Sequence, residues 1–431
     1  MGKKGRKLPM QKWLYGEEKN RTKNSFLWNS VSGMINALQS TFILFFIQRV
    51  ASTDVSGVFI IAFAAANLLQ NIGRYGVRYF QASDEKGKYS FDIYFTQRMY
   101  TCMAMMVAAV LYCVFQYAFG QYTVDKALVC FLMCAQKLID CIEDVFLGEL
   151  HRNGKLDIAG RVMTVRLLAV IISFLAIFVA SRNLVLSTLG SVVVGTAAML
   201  YLLNCVRGEV RVSSVMMRSP AVKTLTRDCF PLFSGAFLLM FIVNIPKFAI
   251  DAVLTSSDQA VYGFISMPIF IVALLAEFVF RPMTNSLTTD WWEGNLKAFK
   301  KRVLYIIFVI VGITVVCVVG GVVIGLPVLS IAFNYPLKSQ WIPFAILLVG
   351  SGLLSMTSFQ AMVLTIIREQ KSVILSYLPS AIISIPLCAL LVRSRGLLGA
   401  AVSYAILVAL MLACVTGFLG FYIHKREREK Q

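Results

Sequence analysis

The chain has 431 residues, of which 58% are hydrophobic and 15% charged, with a formal net charge of +19. Its mean hydropathy is +0.74, far above that of soluble domains, in which about a quarter of residues are charged. That excludes a water-soluble enzyme, and it excludes a disordered chain, which is poor in apolar residues.

A helix that crosses a bilayer needs about 20 mostly apolar residues. Twelve segments meet that length: 26–48, 55–73, 99–122, 127–147, 162–181, 184–205, 229–250, 260–280, 303–326, 341–366, 372–392 and 397–423. Residues 26–48, 100–124, 303–326 and 339–367 contain no charge at all. The fourth segment is the most polar, carrying Lys137, Asp140, Glu143 and Asp144, and Arg161 and Arg166 flank the apolar start of the fifth. Barrel strands would alternate over about 10 residues instead of forming long apolar blocks. The expected fold class is therefore an all-α integral membrane protein of twelve transmembrane helices.

The charge is not spread evenly. Of 41 Lys and Arg, 33 lie before the first segment, in the even-numbered connections (the fourth taken as 151–166) or after the last segment, whereas the odd-numbered connections hold six. This is the positive-inside pattern, and it predicts a multi-pass protein of the plasma or inner membrane with both termini cytoplasmic. Anionic membrane lipids account for the basic loops as partners, so no nucleic acid is expected. The first 24 residues are polar and basic, and no small-residue cleavage motif follows the first apolar block, so no cleavable signal peptide is expected. The ten cysteines form no CxxC pair, the two histidines are far apart, and no phosphate-binding loop or nucleophile motif is present. The expectation is a non-enzyme with neither cofactor nor metal.

A basic connection at 207–228 separates six segments from six. The expected organisation is a cytoplasmic basic tail (1–25), an N-lobe (26–206), a cytoplasmic linker (207–228), a C-lobe (229–423) and a cytoplasmic tail (424–431). Ser52-Thr53-Asp54 before the second segment and Ser256-Ser257-Asp258 before the eighth lie 204 positions apart, near half the length. With an even number of spans per half, a duplication would be related by a pseudo-two-fold along the membrane normal, and substrate sites often lie between such halves.

Ionisable and amide residues inside spans are expensive unless they face a cavity or a partner. In the second segment Asn67, Gln70, Asn71, Arg74 and Arg78 fall within a stripe of about 100°. The first segment offers Asn29, Ser32, Asn36 and Ser40. Two such faces fit a hydrated cavity wall, or close packing by small polar residues with the arginines reaching the interface. In the seventh, Asn244, Lys247 and Asp251 share a face; Lys247 and Asp251 are spaced to pair, and Pro246 is expected to loosen the helix. Glu277 and Arg281 fit a capping pair at the end of the eighth. Lys137, Asp140 and Asp144 share a face of the fourth, which lines the cavity or pairs with Arg161 and Arg166 of the fifth. Asp251, Glu277, Arg281, Lys137, Asp140 and Asp144 are thus candidates for coupling or ion pairing. Arginine binds phosphate bidentately and keeps its charge when desolvated. A cavity with Arg74, Arg78 and Lys247 would suit an anionic head group, whereas a pump for organic cations would display acids.

Asn29, Gly33 and the run Gln48-Arg49-Val50-Ala51-Ser52-Thr53-Asp54-Val55-Ser56-Gly57-Val58-Phe59, with Gly73-Arg74-Tyr75-Gly76-Val77-Arg78, resemble the polysaccharide flippases. These are the O-antigen, capsule and teichoic-acid exporters of the multidrug/oligosaccharidyl-lipid/polysaccharide (MOP) superfamily. Pro231-Leu232-Phe233 with Asn244-Ile245-Pro246-Lys247-Phe248-Ala249-Ile250-Asp251 resembles that group's seventh span, and Phe280-Arg281-Pro282 the close of its eighth. The resemblance implies a V-shaped pair of six-helix lobes around a cationic cavity. It implies export of an undecaprenyl-pyrophosphate-linked oligosaccharide from the inner to the outer leaflet by alternating access, without ATP, for surface-polysaccharide or lipopolysaccharide biosynthesis. Carried over by position, Arg74 and Arg78 would meet the pyrophosphate or sugar head, and Lys247 would face it from the other lobe. The implied partners are the lipid-linked oligosaccharide, a coupling ion (Na⁺ or H⁺) and, for a chain expected to be monomeric, glycan-polymerising proteins. The alternatives are a multidrug or organic-cation antiporter of the same superfamily and a non-transporting membrane scaffold of a glycan-synthesis complex.

Overall fold

The computed structural model describes residues 9–15, 21–82, 84, 87–215 and 219–428. Of the basic residues counted above, Lys3, Lys4, Arg6, Lys7, Lys19, Lys86, Arg218 and Lys430 lie outside them, as does the end of the C-terminal tail at 429–431. Among the described residues there are helices and no strand. The chain divides into two compact units, Met1–Phe233 and Ser234–Gln431.

The first unit holds α1 (Pro9–Tyr15), α2 (Arg21–Val50), α3 (Thr53–Arg74), α4 (Val77–Ala82), α5 (Phe91–Ala118), α6 (Val124–Arg152), α7 (Leu156–Ser181) and α8 (Leu184–Cys205). It also takes the start of α9 (Pro220–Val253), so the division falls inside that helix. In this unit α2 packs on α7, α3 on α6, and α5 on α6. The α2–α7 contact is close because Gly160 has no side chain: a Cβ there would lie 2.6 Å from the backbone carbon of Trp28. Arg161, one residue on, lies 5.5 Å from the ring centres of both Trp13 and Trp28 and donates to the Trp13 carbonyl, pinning α1 against α7.

The second unit continues α9 and adds α10 (Ser256–Ser266), α11 (Ile269–Phe280), α12 (Thr284–Trp292), α13 (Leu296–Gly320), a π-helical turn (Gly321–Gly325), α14 (Leu326–Ala332), α15 (Trp341–Ile366) and α16 (Gln370–Arg428). The eighth segment is thus broken between α10 and α11, where Pro268 supplies no amide to continue the ladder. The 59 residues of α16 turn at Gly396, whose φ of 56° and ψ of −132° suit glycine alone. A Cβ on nearby Gly399 would fall 1.8 Å from the Leu391 carbonyl oxygen, so this turn is tight.

Among the described residues, ten helical stretches are long and apolar enough to cross a membrane. One of them, α16, contains two of the segments read from the sequence, and α6 reaches 29 residues but carries too many charges to count among the ten. These two account for the difference from twelve. Phe308, Val316, Ile331 and Ile382 are exposed, the apolar exterior of a multi-pass membrane protein that lipid covers.

Candidate functional site

Five helices of the first unit, α3 to α7, bring their charges together. On α6, Lys137, Asp140 and Asp144 share a face with Glu143 beside them, and all four are buried. From α7, Arg166 reaches Asp140 at 2.8 Å and Glu143 at 2.7 Å. Lys137 pairs with Asp140 at 3.2 Å and lies 4.7 Å from the centre of the Phe63 ring on α3. Gln70, also on α3, donates to Asp140 at 3.3 Å. Asp144 accepts from two arginines, Arg78 on α4 at 2.8 Å and Arg98 on α5 at 3.0 Å. The acids of α6 are therefore paired with neighbouring helices. Arg161 takes no part, being held by the two tryptophans instead.

Arg78 does not continue the helical stripe of Asn67, Gln70, Asn71 and Arg74. The backbone leaves the helix at Tyr75, with φ of 50°, and Gly76, with φ of 68°, and Arg78 starts again on α4. This break exposes the end of α3 to Arg98, which is fully buried and donates to the Gly73 carbonyl at 2.8 Å, as does Thr101. A cation on the last carbonyls of a helix is favourable through the helix dipole. The sequence reading assigned Arg98 to a connection; α5 in fact begins at Phe91, seven residues earlier. An arginine directly before the apolar run 99–122 is all that the sequence shows of it.

Arg74 differs from the other cations. It lies in the field of Asp144 and Asp140, yet among the described residues it makes no ion pair and its buried Nε has no hydrogen-bond partner. Across the cluster, Arg74, Arg78, Arg98, Lys137 and Arg166 face Asp140, Glu143 and Asp144, an excess of two positive charges. Asn71 donates to the Asn67 carbonyl at 2.9 Å, within its own helix, and Asn36 accepts from Gln39 at 3.3 Å.

In the second unit, Lys247 donates to Asn244 Oδ1 at 3.3 Å, and Asn244 donates to the Met240 carbonyl at 2.9 Å. Asp251 is half-buried one turn further on. The helix assignment of α9 runs unbroken through Pro246, in contrast to the loosening expected there. Glu277 and Arg281 pair at 2.7 Å with both side chains exposed.

The connection between α4 and α5 is tied down by Asp84, which accepts from the amides of Lys88 (2.8 Å) and Tyr89 (3.1 Å) and from the Tyr94 hydroxyl (2.8 Å). Burial pushes its carboxyl up, but these donors and nearby Arg152 outweigh that and hold it below the ordinary carboxylate value.

Comparison with solved structures finds this fold among transporters. An inward-facing multidrug resistance MATE family transporter of the MOP superfamily matches with a TM-score of 0.67 at 14% identity, over 94% of this chain and 99% of that one. MATE in a bent conformation matches at 0.56 and 15%, over 98% and 99%. A MOP superfamily transporter from Pyrococcus furiosus, described as having a binding pocket of reverse polarity that suggests a different function, matches at 0.52 and 13%, over 98% and 99%. No protein-family model and no curated protein matches the chain. At these identities the likeness establishes a fold: the helical architecture of the MOP transporters.

Proposed function

We propose that the protein is a MOP-superfamily transporter that flips an anionic, undecaprenyl-pyrophosphate-linked oligosaccharide from the inner to the outer leaflet by alternating access. The observation that carries this reading is the positive excess of the buried cluster in the first unit, with Arg74 unpaired inside it. A cluster built only for structure tends toward matched charges, because an uncompensated buried ion costs several kcal/mol. Arg74 and Arg78 are the groups proposed to meet the head group, with Gln70, Asn67, Asn71 and Asn36 as polar neighbours. Lys247, supported by Asn244, is the corresponding cation proposed for the second unit. Asp140 and Asp144 hold Arg166, Arg78 and Arg98 in place, Lys137 pairs with Asp140, and the exposed Glu277–Arg281 pair and Asp251 stand outside that role.

The second reading is a multidrug antiporter, favoured by the descriptions of the MATE neighbours. It requires acids available to a cationic drug, and Asp140, Glu143 and Asp144 are all occupied by cations. Reconstitution in vesicles with a fluorescent lipid-linked oligosaccharide tests the choice. Translocation that an imposed potential accelerates is expected, since one charge moved across 100 mV is worth about 2.3 kcal/mol. Export of organic cations with no movement of the lipid-linked sugar would overturn the flippase reading in favour of the antiporter.

A further inference from the structure

A groove of about 1080 Å³ lies in the first unit, where the turn after α3, the first half of α5 and the start of α9 meet. Tyr75, Tyr100, Phe230 and Pro231 line it, together with Lys223 and Arg227. The wall is mostly apolar carbon, with Phe230 and Tyr100 exposed rather than packed away. Its floor is firm: Tyr75 stacks on Phe233 with ring centres 4.4 Å apart and planes 12° apart, and a Cβ on Gly76 would meet Leu232 at 3.0 Å.

Lys223 and Arg227 are four residues apart on α9 and so share a face. Both are exposed, and among the described residues neither has an acidic partner. The one acid beside them, Asp228, is engaged by Lys88 at 3.5 Å and by the Tyr89 hydroxyl at 3.5 Å. Lys223 and Arg227 precede the apolar segment that begins at residue 229, and Phe230 and Pro231 open it. Two cations beside an apolar trough match a molecule with a negative head and a hydrocarbon chain. A soluble phosphate would find no use for the aromatic wall, and an uncharged lipid no use for the cations.

We propose that this groove is a seat for an anionic phospholipid, its phosphate held by Lys223 and Arg227 and an acyl chain laid along Tyr100, Phe230 and Pro231. The seat is defined by lipid chemistry alone and does not depend on which cargo the protein moves. Native mass spectrometry of the detergent-purified full chain tests it, with phosphatidylglycerol, phosphatidylcholine and inorganic phosphate as the probes. Phosphatidylglycerol is expected to stay bound and phosphatidylcholine to be lost. Lys223→Gln/Arg227→Gln should weaken phosphatidylglycerol binding about 30-fold, as two basic residues near a membrane surface contribute. Lys223→Arg/Arg227→Lys should retain it, and Phe230→Ser should weaken it with the charges intact. Equal retention of both lipids, undiminished binding by the double glutamine variant, or displacement by millimolar inorganic phosphate would each overturn the proposal. All of these readouts are independent of the flipping assay, so a protein that moves no oligosaccharide can still pass them.

Discussion

Single residues in the buried cluster divide by what their removal leaves behind. Arg166→Ala strands Glu143 and leaves Asp140 with Lys137 as its one cation, and Arg98→Ala removes a donor to Asp144 and to the end of α3. Each should cost about 3–5 kcal/mol of stability, the range for a broken buried pair, read as early loss of monodisperse protein on heating. Arg74→Ala strands no partner. It should stay within about 1 kcal/mol of the parent while abolishing oligosaccharide translocation; full translocation would remove Arg74 from the site. At Lys247 the comparison is between variants. Lys247→Glu should impair translocation more than Lys247→Ala because it reverses the local field, and equal losses would reduce Lys247 to packing around Asn244. At this scale the sequence was partly readable. Charges at 137, 140 and 144 on one helical face had to find partners, and one of the two offered by the neighbouring span, Arg166, pairs with Asp140 and Glu143. Arg98 was not readable, because its role depends on where α3 ends, and that depends on the left-handed backbone of Tyr75 and Gly76.

Elements follow a similar division. Apolar run length fixes the spans, because bilayer thickness sets one length for all of them. Interruptions are harder to read: the break at Pro268 and the π-helical turn at Gly321–Gly325 lie inside apolar runs that hydropathy reads as continuous. Close approaches are equally silent in composition. Gly160→Val would drive a side chain into the Trp28 backbone. It should destabilise the α2–α7 pair by about 1–3 kcal/mol, as overpacking does, with a matching fall in thermal unfolding temperature. The Asp84 clasp gives a pH signature. Its folded pKa lies below the unfolded value of about 3.9, so its contribution is present above pH ~4 and disappears as pH falls through the depressed folded value. Hydrogen exchange at Lys88 and Tyr89 should therefore show constant protection from pH 7 down to about 4 and faster opening only below it; Asp84→Asn should open both amides at neutral pH.

For the whole molecule the open question is direction in the membrane. The 33-to-6 distribution of basic residues predicts that 207–215 faces the cytoplasm. A cysteine at Ser214, in a background without the native thiols, should resist a membrane-impermeant maleimide in intact cells and react after permeabilisation, whereas one at Asp125 should react in both. Reversed accessibility would invert the topology and, with it, the direction of the proposed flipping.

The end of α3 ties distant parts of the first unit into one train. Asp144 grips Arg98, Arg98 grips the Gly73 carbonyl, and two residues later Tyr75 lies flat on Phe233 of α9. An anion that drew Arg78 away would leave Asp144 leaning on Arg98 alone, and any slip of that guanidinium would tug the turn on which the tyrosine rides. A charge arriving deep in the bundle would in this way be felt as a nudge on the helix that leads into the other half of the chain.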